Sequence, residues 1–530
     1  MKKEERIQGD KPQRPEIVIG LVGPIGTPLK EVARRLATAF APVGYHAEHI
    51  KLSSFLENLT GKGLPALKPS PEADRLRTYM ARGTDVRTRT GHGDALAGLA
   101  IAHIRSLRET ATGRDEEPNL NTVYILTSLK HEAEVKTLRR VYGPQFVAIG
   151  VHTSRDDRLQ QVARRIGLSS GHPKADEVRS EAEKLIAIDE KEEKRPLGQN
   201  VRAAFPHCDY FINAASMAEV DKQLDRLVCI LFSHPFVTPS VDEYGMFHAQ
   251  ASGRRSGALG RQVGAAITSG DGDVLAVGMN EVPKAGGGHY WEGDPGDARD
   301  YVLGFDQNDR MKRAAIREAL LAMRDARWLC KEREEQAETD VDALIREALR
   351  EDGPLHETLV ANITEFGRDV HAEMSAIVTA ARLGTKIGGA MLFTTTFPCH
   401  NCAKHIVASG IRRVVYVEPY AKSFAEDSHL DAISVDDPAC SNGKISFERF
   451  CGVAPRNYMA WFQSLTRKDK EGEVISWDPT TSPPRFVFED PGYIQREPRV
   501  VDDVYKKLAE KGISFDVTEE DTDDEKDEET

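Results

Sequence analysis

At 530 residues the chain is too long for a single hydrophobic core, so we expect two main domains with appended segments. Its charged fraction of 29% and hydrophobic fraction of 40% are typical of a globular protein and exclude a largely disordered chain. The net charge of −13 argues against broad binding of polynucleotides, and the sequence has no apolar run long enough for a membrane span. We therefore expect a cytoplasmic protein without a membrane partner.

Residues 16–235, which follow a polar leader over residues 1–15, alternate apolar runs with charged helical stretches. The run at residues 16–23 predicts a buried strand that enters a glycine-containing turn, and apolar residues then recur at helical spacing from Leu29 to Phe40. Three further apolar runs lie at residues 122–129, 146–151 and 209–213. This alternation predicts an α/β domain with a parallel sheet.

The turn after the first strand contains glycine but departs from the pattern of a phosphate-binding loop. Alignment from Gly23 with G-x-x-x-x-G-K-[ST] puts Pro28 at the second glycine, Leu29 at the lysine and Lys30 at the hydroxyl residue. At the end of the next long strand, where such folds often place an aspartate near magnesium, the sequence has Thr127. We expect a P-loop NTPase-like domain that transfers no phosphate.

Nucleotide binding without catalysis stays open for this loop. Gly23 and Gly26 lie where backbone NH groups at a helix start face a phosphate, and Lys30 is one residue from the lysine position. These three residues are the candidate nucleotide-binding residues of a sensing or scaffolding domain. The alternative is a turn that only packs the strand against the helix.

A second domain is expected over residues 240–470, because the prolines of the segment His234–Tyr244 interrupt the periodic pattern. Apolar runs at residues 263–268 and 274–280, joined by a Gly-Asp-Gly-Asp turn, predict a β-hairpin. An insertion at about residues 284–365 follows, to which the sequence assigns no role. Its long charged helix has one apolar face, formed by Ile316, Ala319, Leu320 and Met323.

Beyond the insertion the pattern predicts a helix, a strand, a helix and a strand in turn. A C-terminal extension is expected over residues 471–515. Residues 516–530 contain ten acidic residues and one lysine, which predicts a solvated, disordered tail.

Residues with metal-binding chemistry open the two helices that flank the strand. His371 and Glu373 open the first helix, and Pro398, Cys399 and Cys402 open the second. One histidine and two cysteines are the protein ligands of a catalytic zinc site, which keeps a fourth position for water. Both thiols lie at a helix N-terminus, where NH groups and the helix dipole favour the thiolate. We predict zinc as the cofactor, held by His371, Cys399 and Cys402.

Glu373 is the candidate catalytic residue, because two residues after His371 it lies beside the ligand without binding the metal. The pattern H-x-E…P-C-x-x-C is typical of zinc nucleobase deaminases, in which the metal activates water and the glutamate moves protons. A structural zinc site with four ligands is the alternative, and its near candidates are His400 and His405. We expect His405 to be an ordinary helix residue.

Four sequence blocks between residues 245 and 420 carry a family resemblance. They are RQVGAAI at 261–267, VGMN at 277–280, HAE at 371–373 and PCHNC at 398–402. Without its insertion, this stretch resembles the CMP/dCMP-type cytidine deaminases. The resemblance implies a cytidine deaminase-like α/β/α domain in which Asn280 contacts the sugar of the substrate. A buried asparagine that caps a strand is the alternative for Asn280.

Three further blocks lie at residues 416–420, 422–423 and 452–456. With them, the chain resembles the two-domain anti-phage deoxycytidylate or dCTP deaminases of bacteria, in which a P-loop kinase-like domain precedes the deaminase. The resemblance implies hydrolytic deamination of free dCTP, dCMP or both, and depletion of the dCTP pool during infection. It also implies a small inhibitory RNA or a nucleotide effector as partner, and we expect a homo-oligomer.

Two other functions stay open. A deaminase of bases in tRNA or DNA would share the zinc chemistry, since the motif specifies the reaction and not the carrier of the base. A nucleotide- or RNA-binding regulator with a vestigial deaminase site is the third possibility. The intact Glu373 argues against it, because a vestigial site has no need of a proton carrier.

Overall fold

The computed structural model describes residues 14–171, 175–192, 195, 197–350, 352–356, 358–419, 423–436, 443–485 and 492–515. Contacts divide the chain into two compact units, Met1–Glu243 with Cys451–Thr530, and Tyr244–Phe450. The expectations for residues 1–13, for residues 420–422 and for the acidic tail fall outside the described residues.

The amino-terminal part of the first unit alternates strands with helices. Its strands are β1 (Ile17–Val22), β2 (His46–Lys51), β3 (Leu59–Gly61), β4 (Thr122–Leu129), β5 (Phe146–His152) and β6 (Tyr210–Asn213). Its helices are α1 (Leu29–Phe40), α2 (Glu72–Thr90), α3 (Ala95–Thr112), α4 (Glu132–Tyr142), α5 (Arg155–Ser169), α6 (Ala175–Glu190), α7 (Val201–Ala204) and α8 (Met217–Leu231).

The second unit begins within α9 (Val241–Gly253). Its strands are β7 (Gly264–Thr268), β8 (Val274–Met279), β9 (Met391–Thr396), β10 (Arg413–Glu418), β11 (Ile433–Val435) and β12 (Ile445–Arg449). Its further helices are α10 (Asp300–Leu303), α11 (Gln307–Asp325), α12 (Lys331–Ala348), α13 (Ala372–Leu383), α14 (His400–Ser409) and α15 (Ala425–Ser428). The chain then returns to the first unit with β13 (Gly452–Val453), α16 (Tyr458–Trp461), α17 (Tyr493–Glu510) and β14 (Ile513–Phe515).

The first unit contains a six-stranded sheet in the order β13-β6-β5-β1-β4-β2. The strands from β6 to β2 run parallel, and β13 joins the edge antiparallel to β6. In the central strand, Ile19 pairs with Ile125 of β4 on one side and with Val147 of β5 on the other. These strands are continuous apolar runs because both faces of the sheet are covered. The predicted parallel α/β sheet is confirmed.

Strand β2 was not predicted, because its sequence HAEHIK has no apolar run. Only Ile50 of its six residues is buried. A strand at the edge of a sheet keeps polar side chains in water, so hydrophobic periodicity does not reveal it.

The carboxyl-terminal segment belongs to the first unit, although the sequence assigned residues 451–470 to the second domain and residues 471–515 to an extension. Its helix α17 is joined to the sheet by a buried ion network. The guanidinium of Arg108 contacts both oxygens of Glu16, at 2.9 Å each, and both oxygens of Glu497, at 2.8 and 3.0 Å. Tyr493 donates its hydroxyl to Glu16 at 2.8 Å. All three charged side chains are at most 2% exposed.

The second unit contains a mixed sheet in the order β11-β12-β10-β9-β7-β8. Strands β7 and β8 form the predicted hairpin, and β9, β10, β12 and β11 run parallel to one another. Since β7 is antiparallel to both β8 and β9, strands β8 and β9 run in the same direction. Their carboxyl ends therefore lie at one edge of the sheet, where the residues after each strand come together.

Helix α13 packs closely on this sheet because Gly278 of β8 has no side chain. A Cβ atom at Gly278 would collide with the backbone of Ala372 and Ala376. Gly278 of the VGMN block therefore allows the start of α13 to approach the end of β8.

The insertion forms α10, α11 and α12. The predicted apolar face of α11 is only partly buried, since Ile316 is 2% exposed but Met323 is 40% exposed. Among the described residues no helix is both long and apolar enough to span a membrane.

Candidate active site

The predicted metal ligands lie at the starts of two neighbouring helices. His371 is the N-cap residue of α13 and Cys399 is the N-cap residue of α14, each with extended backbone angles. Cys402 lies in the first turn of α14 and is 1% exposed. Each of the three ligands lies within three residues of a helix start, so the start of each helix determines where its ligands are placed.

Three side-chain atoms converge with the spacing that a tetrahedral metal requires. The Nδ1 atom of His371 is 3.3 Å from the Sγ atom of Cys399 and 3.5 Å from the Sγ atom of Cys402. Zinc–nitrogen and zinc–sulfur bonds in a tetrahedral site place these atoms about 3.6 Å apart. The donor set therefore fits zinc.

No fourth ligand joins this set within the described part of the chain, where the group close enough to share a metal is His371, Cys399 and Cys402. The ring of His400 instead contacts the Oε1 atom of Glu365 through Nε2, at 2.9 Å. His405 is exposed on α14. The geometry matches an open site with three ligands and not a closed structural site.

Charge interactions favour a thiolate at Cys399. A hydrogen bond from Cys402 and the nearby imidazole of His371 lower the pKa of the Cys399 thiol. The Cys399 sulfur in turn raises the pKa of His371 to about 9. A deprotonated sulfur is the form of cysteine that binds a metal.

Glu373 lies beside the donor set, in the first turn of α13. It is 4% exposed, and its Oε2 atom is 3.4 Å from the Sγ atom of Cys402. Burial raises the pKa of Glu373 above its ordinary value, and the Cys399 sulfur raises it further. A buried carboxyl group beside the donor set is placed to accept and return protons, which is the role of a general acid–base catalyst.

A cavity of about 290 Å³ opens onto His371, Glu373 and Cys399. Its lining residues come from the segments 257–263, 280–282 and 364–373 and from the end of β9. The insertion contributes Asp300, Asp306 and Asn308. Sequence reasoning did not identify these three residues, because nothing in a charged surface helix indicates that its first turn faces a site. The N-cap pattern at Asp306, whose carboxylate accepts from the NH of Asp309 at 2.8 Å, indicates a helix start only.

Asn280 lies on the cavity wall and is 8% exposed. Its Oδ1 atom accepts a hydrogen bond from the NH of Val263 at 2.8 Å, and its Nδ2 atom donates to the carbonyl of Arg261 at 2.7 Å. Asn280 therefore holds the loop of residues 257–263, which also lines the cavity. Contact with a substrate sugar stays a prediction, and the second NH of Nδ2 is the group that would make it.

The amino-terminal loop has a different environment from the one expected for nucleotide binding. The carboxylate of Asp189, from the end of α6, accepts a hydrogen bond from the NH of Ile25 at 2.7 Å. Lys130 pairs with Asp189 at 2.9 Å and donates to the carbonyl of Gly23 at 3.0 Å. A carboxylate of the chain itself thus lies where a phosphate would be expected.

The other two candidate residues of this loop differ in burial. Gly26 has a φ of +86°, and a Cβ atom there would lie 2.7 Å from the carbonyl oxygen of Arg158 in α5. Lys30, the second residue of α1, is exposed. Gly26 is therefore required by the turn and by close packing, and nucleotide binding at Gly23, Gly26 and Lys30 stays a prediction.

Comparison with known proteins concerns the second unit. Residues 239–418 match the family model for the cytidine and deoxycytidylate deaminase zinc-binding region. Over 93 residues the chain is 49% identical to the deoxycytidylate deaminase of Enterobacteria phage T4, which covers 16% of this chain and 47% of that protein. It is 35% identical over 74 residues to ComE operon protein 2 of Bacillus subtilis (strain 168), covering 13% and 39%.

Among solved structures, the dCMP deaminase of the cyanophage S-TIM5 in complex with dCMP and dUMP aligns with 18% identity and a TM-score of 0.23. That alignment covers 41% of this chain and 100% of the phage chain. The present chain spans less than half the length of the two curated relatives named above. The family match contains His371, Glu373, Cys399 and Cys402. Residues 239–418 are therefore similar to the cytidine and deoxycytidylate deaminase zinc-binding region, and the four residues of the candidate site lie inside the match.

Proposed function

We propose that the chain hydrolyses the exocyclic amine of a free deoxycytidine nucleotide with zinc as cofactor, releasing ammonia and the uracil nucleotide. The observation that carries the proposal is the donor set His371, Cys399 and Cys402 next to the buried Glu373 on the wall of one cavity. The similarity to phage deoxycytidylate deaminase supports the choice of nucleotide.

Each reacting group has a residue of the chain beside it. Zinc, when bound by the donor set, supplies a Lewis acid that lowers the pKa of water. Glu373 accepts one proton of the attacking water and passes it to the ring nitrogen, and then accepts the second proton of that water and passes it to the departing amine, which leaves as ammonia. His371 and Cys399 are N-cap residues, so each side chain is held at the start of a helix. This placement keeps the Glu373 carboxylate next to the donor set.

The charge of the cavity favours a substrate with few phosphates. Among the described residues that line it, Arg261 is the one arginine or lysine, and it contacts Glu418 at 3.3 Å. Asp306 and Asp369 also line the cavity, as does Asp300, whose carboxylate is paired with Arg368. Each added phosphate brings negative charge near these carboxylates, so we propose dCMP as the preferred substrate and dCTP as a poorer one.

The biological effect that we propose is depletion of the cytosine deoxynucleotide pool in defence against phage. This step rests on the resemblance to the two-domain anti-phage deaminases. Expression of the wild-type chain in infected bacteria is expected to lower dCMP and dCTP and raise the uracil counterparts, whereas a Glu373→Ala chain leaves the pools unchanged.

A direct assay tests the reaction. The purified, zinc-loaded full chain is incubated with deoxycytidine, CMP, dCMP, dCTP and cytosine-containing oligonucleotides, and the products are separated and quantified. We expect dUMP and ammonia from dCMP, with a lower kcat/KM for dCTP. Conversion of the oligonucleotides alone would identify a polynucleotide deaminase, and no conversion of any substrate would point to a binding protein.

The ligand assignment has its own test with a matched control. Cys402→Ser removes a donor that is 1% exposed, whereas Cys330→Ser changes an exposed cysteine outside the donor set. We expect the first variant to lose its zinc and the second to keep it, as measured by metal analysis of the purified proteins. Stoichiometric zinc in Cys402→Ser would overturn the assignment.

A further inference from the structure

A short segment, residues 363–371, connects the insertion to the candidate metal site, and we call it the strap. It begins at Ile363 after the insertion helices and ends at His371, the N-cap of α13. The described strap residues before His371 form neither a regular helix nor a strand, so intrinsic secondary structure does not hold this segment. Helix α13 fixes His371 from its carboxyl-terminal side only, so the position of this ligand also depends on the residues that hold the strap.

One anchor of the strap comes from Asn308, at the start of α11. Its Nδ2 atom donates to the carbonyl of Ile363 at 2.9 Å, and its Oδ1 atom accepts from the NH of Phe366 at 3.2 Å. Both polar groups of one side chain are therefore used on the strap backbone. The Asn308 amide replaces the hydrogen bonds that regular structure would otherwise provide for this segment.

A second anchor joins the strap to α10. Arg368 donates from Nη1 to Oδ1 of Asp300 at 2.9 Å and to the carbonyl of Ala298 at 2.9 Å. The other oxygen of Asp300 accepts from the NH of Gln307 at 3.3 Å, which links α10 to the start of α11. The two short contacts of Arg368 thus fix the strap three residues before His371.

The other side of the strap contacts the helix that carries the cysteines. The Oε1 atom of Glu365 accepts from Nε2 of His400 at 2.9 Å and from Nδ2 of Asn401 at 3.3 Å. These two residues lie between Cys399 and Cys402 in the sequence. The strap therefore spans from the insertion to the first turn of α14.

Backbone pairing fixes Val370, the residue directly before the metal ligand His371. Val370 and Glu281 exchange backbone hydrogen bonds of 3.0 and 3.2 Å in an antiparallel bridge. Glu281 directly follows Asn280 after β8, so the residue before His371 is fixed to the sheet edge that forms the cavity. Four sets of contacts converge on a segment of nine residues that ends at a metal ligand.

We propose that the insertion is a positioning element of the metal centre, in which Asn308 and Arg368 hold the strap and Glu365 sets its distance from the cysteine helix. The proposal rests on the proposed function in one respect, namely that the donor set binds zinc. It assigns a role to a region for which the sequence indicated none, and it makes Asn308, Arg368 and Glu365 positioning residues.

A simpler role for the insertion is to form a wall of the cavity, since Asp300 and Asn308 line it. The two roles predict different measurements. A wall residue changes KM for the nucleotide and leaves zinc affinity unchanged. A residue that orients a metal ligand changes zinc affinity itself, by about 10–100-fold in proteins where such partners have been removed.

The test measures zinc affinity of full-length variants by competition with a chromophoric chelator. Asn308→Leu and Arg368→Met remove the anchors while keeping side-chain size, and each is expected to weaken zinc binding by about 10–100-fold. Arg368→Lys keeps a donor and is expected to bind zinc more tightly than Arg368→Met. Glu365→Gln keeps an acceptor and is expected to bind zinc more tightly than the two variants that remove an anchor. Arg317→Met is the matched control, because Arg317 pairs with Asp342, so this ion pair lies entirely inside the insertion.

Steady-state kinetics of the zinc-saturated variants completes the test. We expect Asn308→Leu and Arg368→Met to lower kcat, since a displaced His371 remains displaced when zinc is bound. Wild-type zinc affinity in both variants, with a raised KM or with no change at all, would overturn the positioning role while leaving the deaminase proposal intact. Weaker zinc binding in a chain whose wild type deaminates no nucleotide would support the strap and contradict the proposed function.

Discussion

Two turns of this chain each lead from a strand into a helix, and they differ in the groups that face them. The loop Gly23–Thr27 follows β1 and the residues after β9 lead to Cys399, and each turn enters a helix whose N-terminus favours a negative group. At the first turn, the negative group is the carboxylate of Asp189, 2.7 Å from the NH of Ile25. At the second, the Cys399 sulfur lies with His371 at the edge of a cavity of about 290 Å³.

This comparison shows that the neighbouring residues determine whether a helix start is accessible to a ligand. At the amino-terminal loop, α5 packs on Gly26 and α6 supplies Asp189, so charges of the unit satisfy one another. At the candidate active site, the neighbouring residues leave open space in front of Glu373 and the donor set. A strand-to-helix turn therefore serves stability in one unit and, as we propose, catalysis in the other.

The largest effect is expected at the open site. Glu373→Gln keeps the size of the side chain but removes its proton-carrying group, so we expect deamination of dCMP to fall by about 10²–10⁴-fold. Zinc content should stay at the wild-type value, because Glu373 is not in the donor set. The measurements are dUMP formation and metal analysis, with His405→Gln, an exposed change on α14, as the control. Normal turnover by Glu373→Gln would remove the catalytic role from this residue.

The next prediction concerns buried charges that serve stability in the first unit. Arg108→Met leaves Glu16 and Glu497 without their shared cation, and such a loss typically costs about 3–5 kcal/mol of folding free energy. Denaturant unfolding of the full chain measures it. The control is Arg34→Met, whose partner Glu31 is at the surface, where an ion pair contributes about 0–1 kcal/mol. Equal losses of unfolding free energy in the two variants would show that the buried network contributes no more to stability than the surface ion pair.

Asn280 tests whether a residue on the cavity wall binds substrate or holds a loop. Asn280→Ala removes the hydrogen bonds to Val263 and Arg261, and a displaced wall is expected to lower kcat/KM by up to about 10²-fold. Hydrogen exchange distinguishes the two roles. A loop-holding role predicts faster exchange at the amide of Val263 in the unliganded variant, whereas a raised KM with unchanged exchange would assign the residue to the substrate.

The smallest effect is expected at the closed loop. Asp189→Ala leaves the NH of Ile25 and the ammonium of Lys130 without their carboxylate, and we expect a loss of about 1–3 kcal/mol in stability. Equilibrium dialysis of the wild-type chain with ATP tests the nucleotide binding predicted for this loop, against which the Asp189 carboxylate beside it argues. Lys30→Ala, a change at an exposed residue, is the control for stability. ATP binding by the wild type that disappears in Lys30→Ala would restore the loop as a nucleotide site.

The sequence predicted most of the strands and the metal donor set for the same reason, which is that both are local patterns. Apolar runs of six to eight residues became β1, β4 and β5. The ligands His371, Cys399 and Cys402 each lie within three residues of a helix start, so their spacing along the chain already indicates their chemistry.

Contacts between distant parts of the chain could not be predicted in this way. Asp189 is 164 residues from Ile25, and Glu497 is 389 residues from Arg108. Asn308 is 55 residues from Ile363. Each of these polar residues is typical of a helix surface in sequence, and only the packing of its helix determines what it contacts.

By itself, the sequence determined the alternating α/β pattern, the hairpin and the residues able to hold zinc, because helix and strand periodicity and helix-start chemistry act over a few residues. Only the tertiary structure decided which helix start stays open, which residues hold the strap, and where the carboxyl-terminal helix belongs. The physical reason is that a buried charge or NH group takes the partner that packing brings to it, and packing depends on the whole fold.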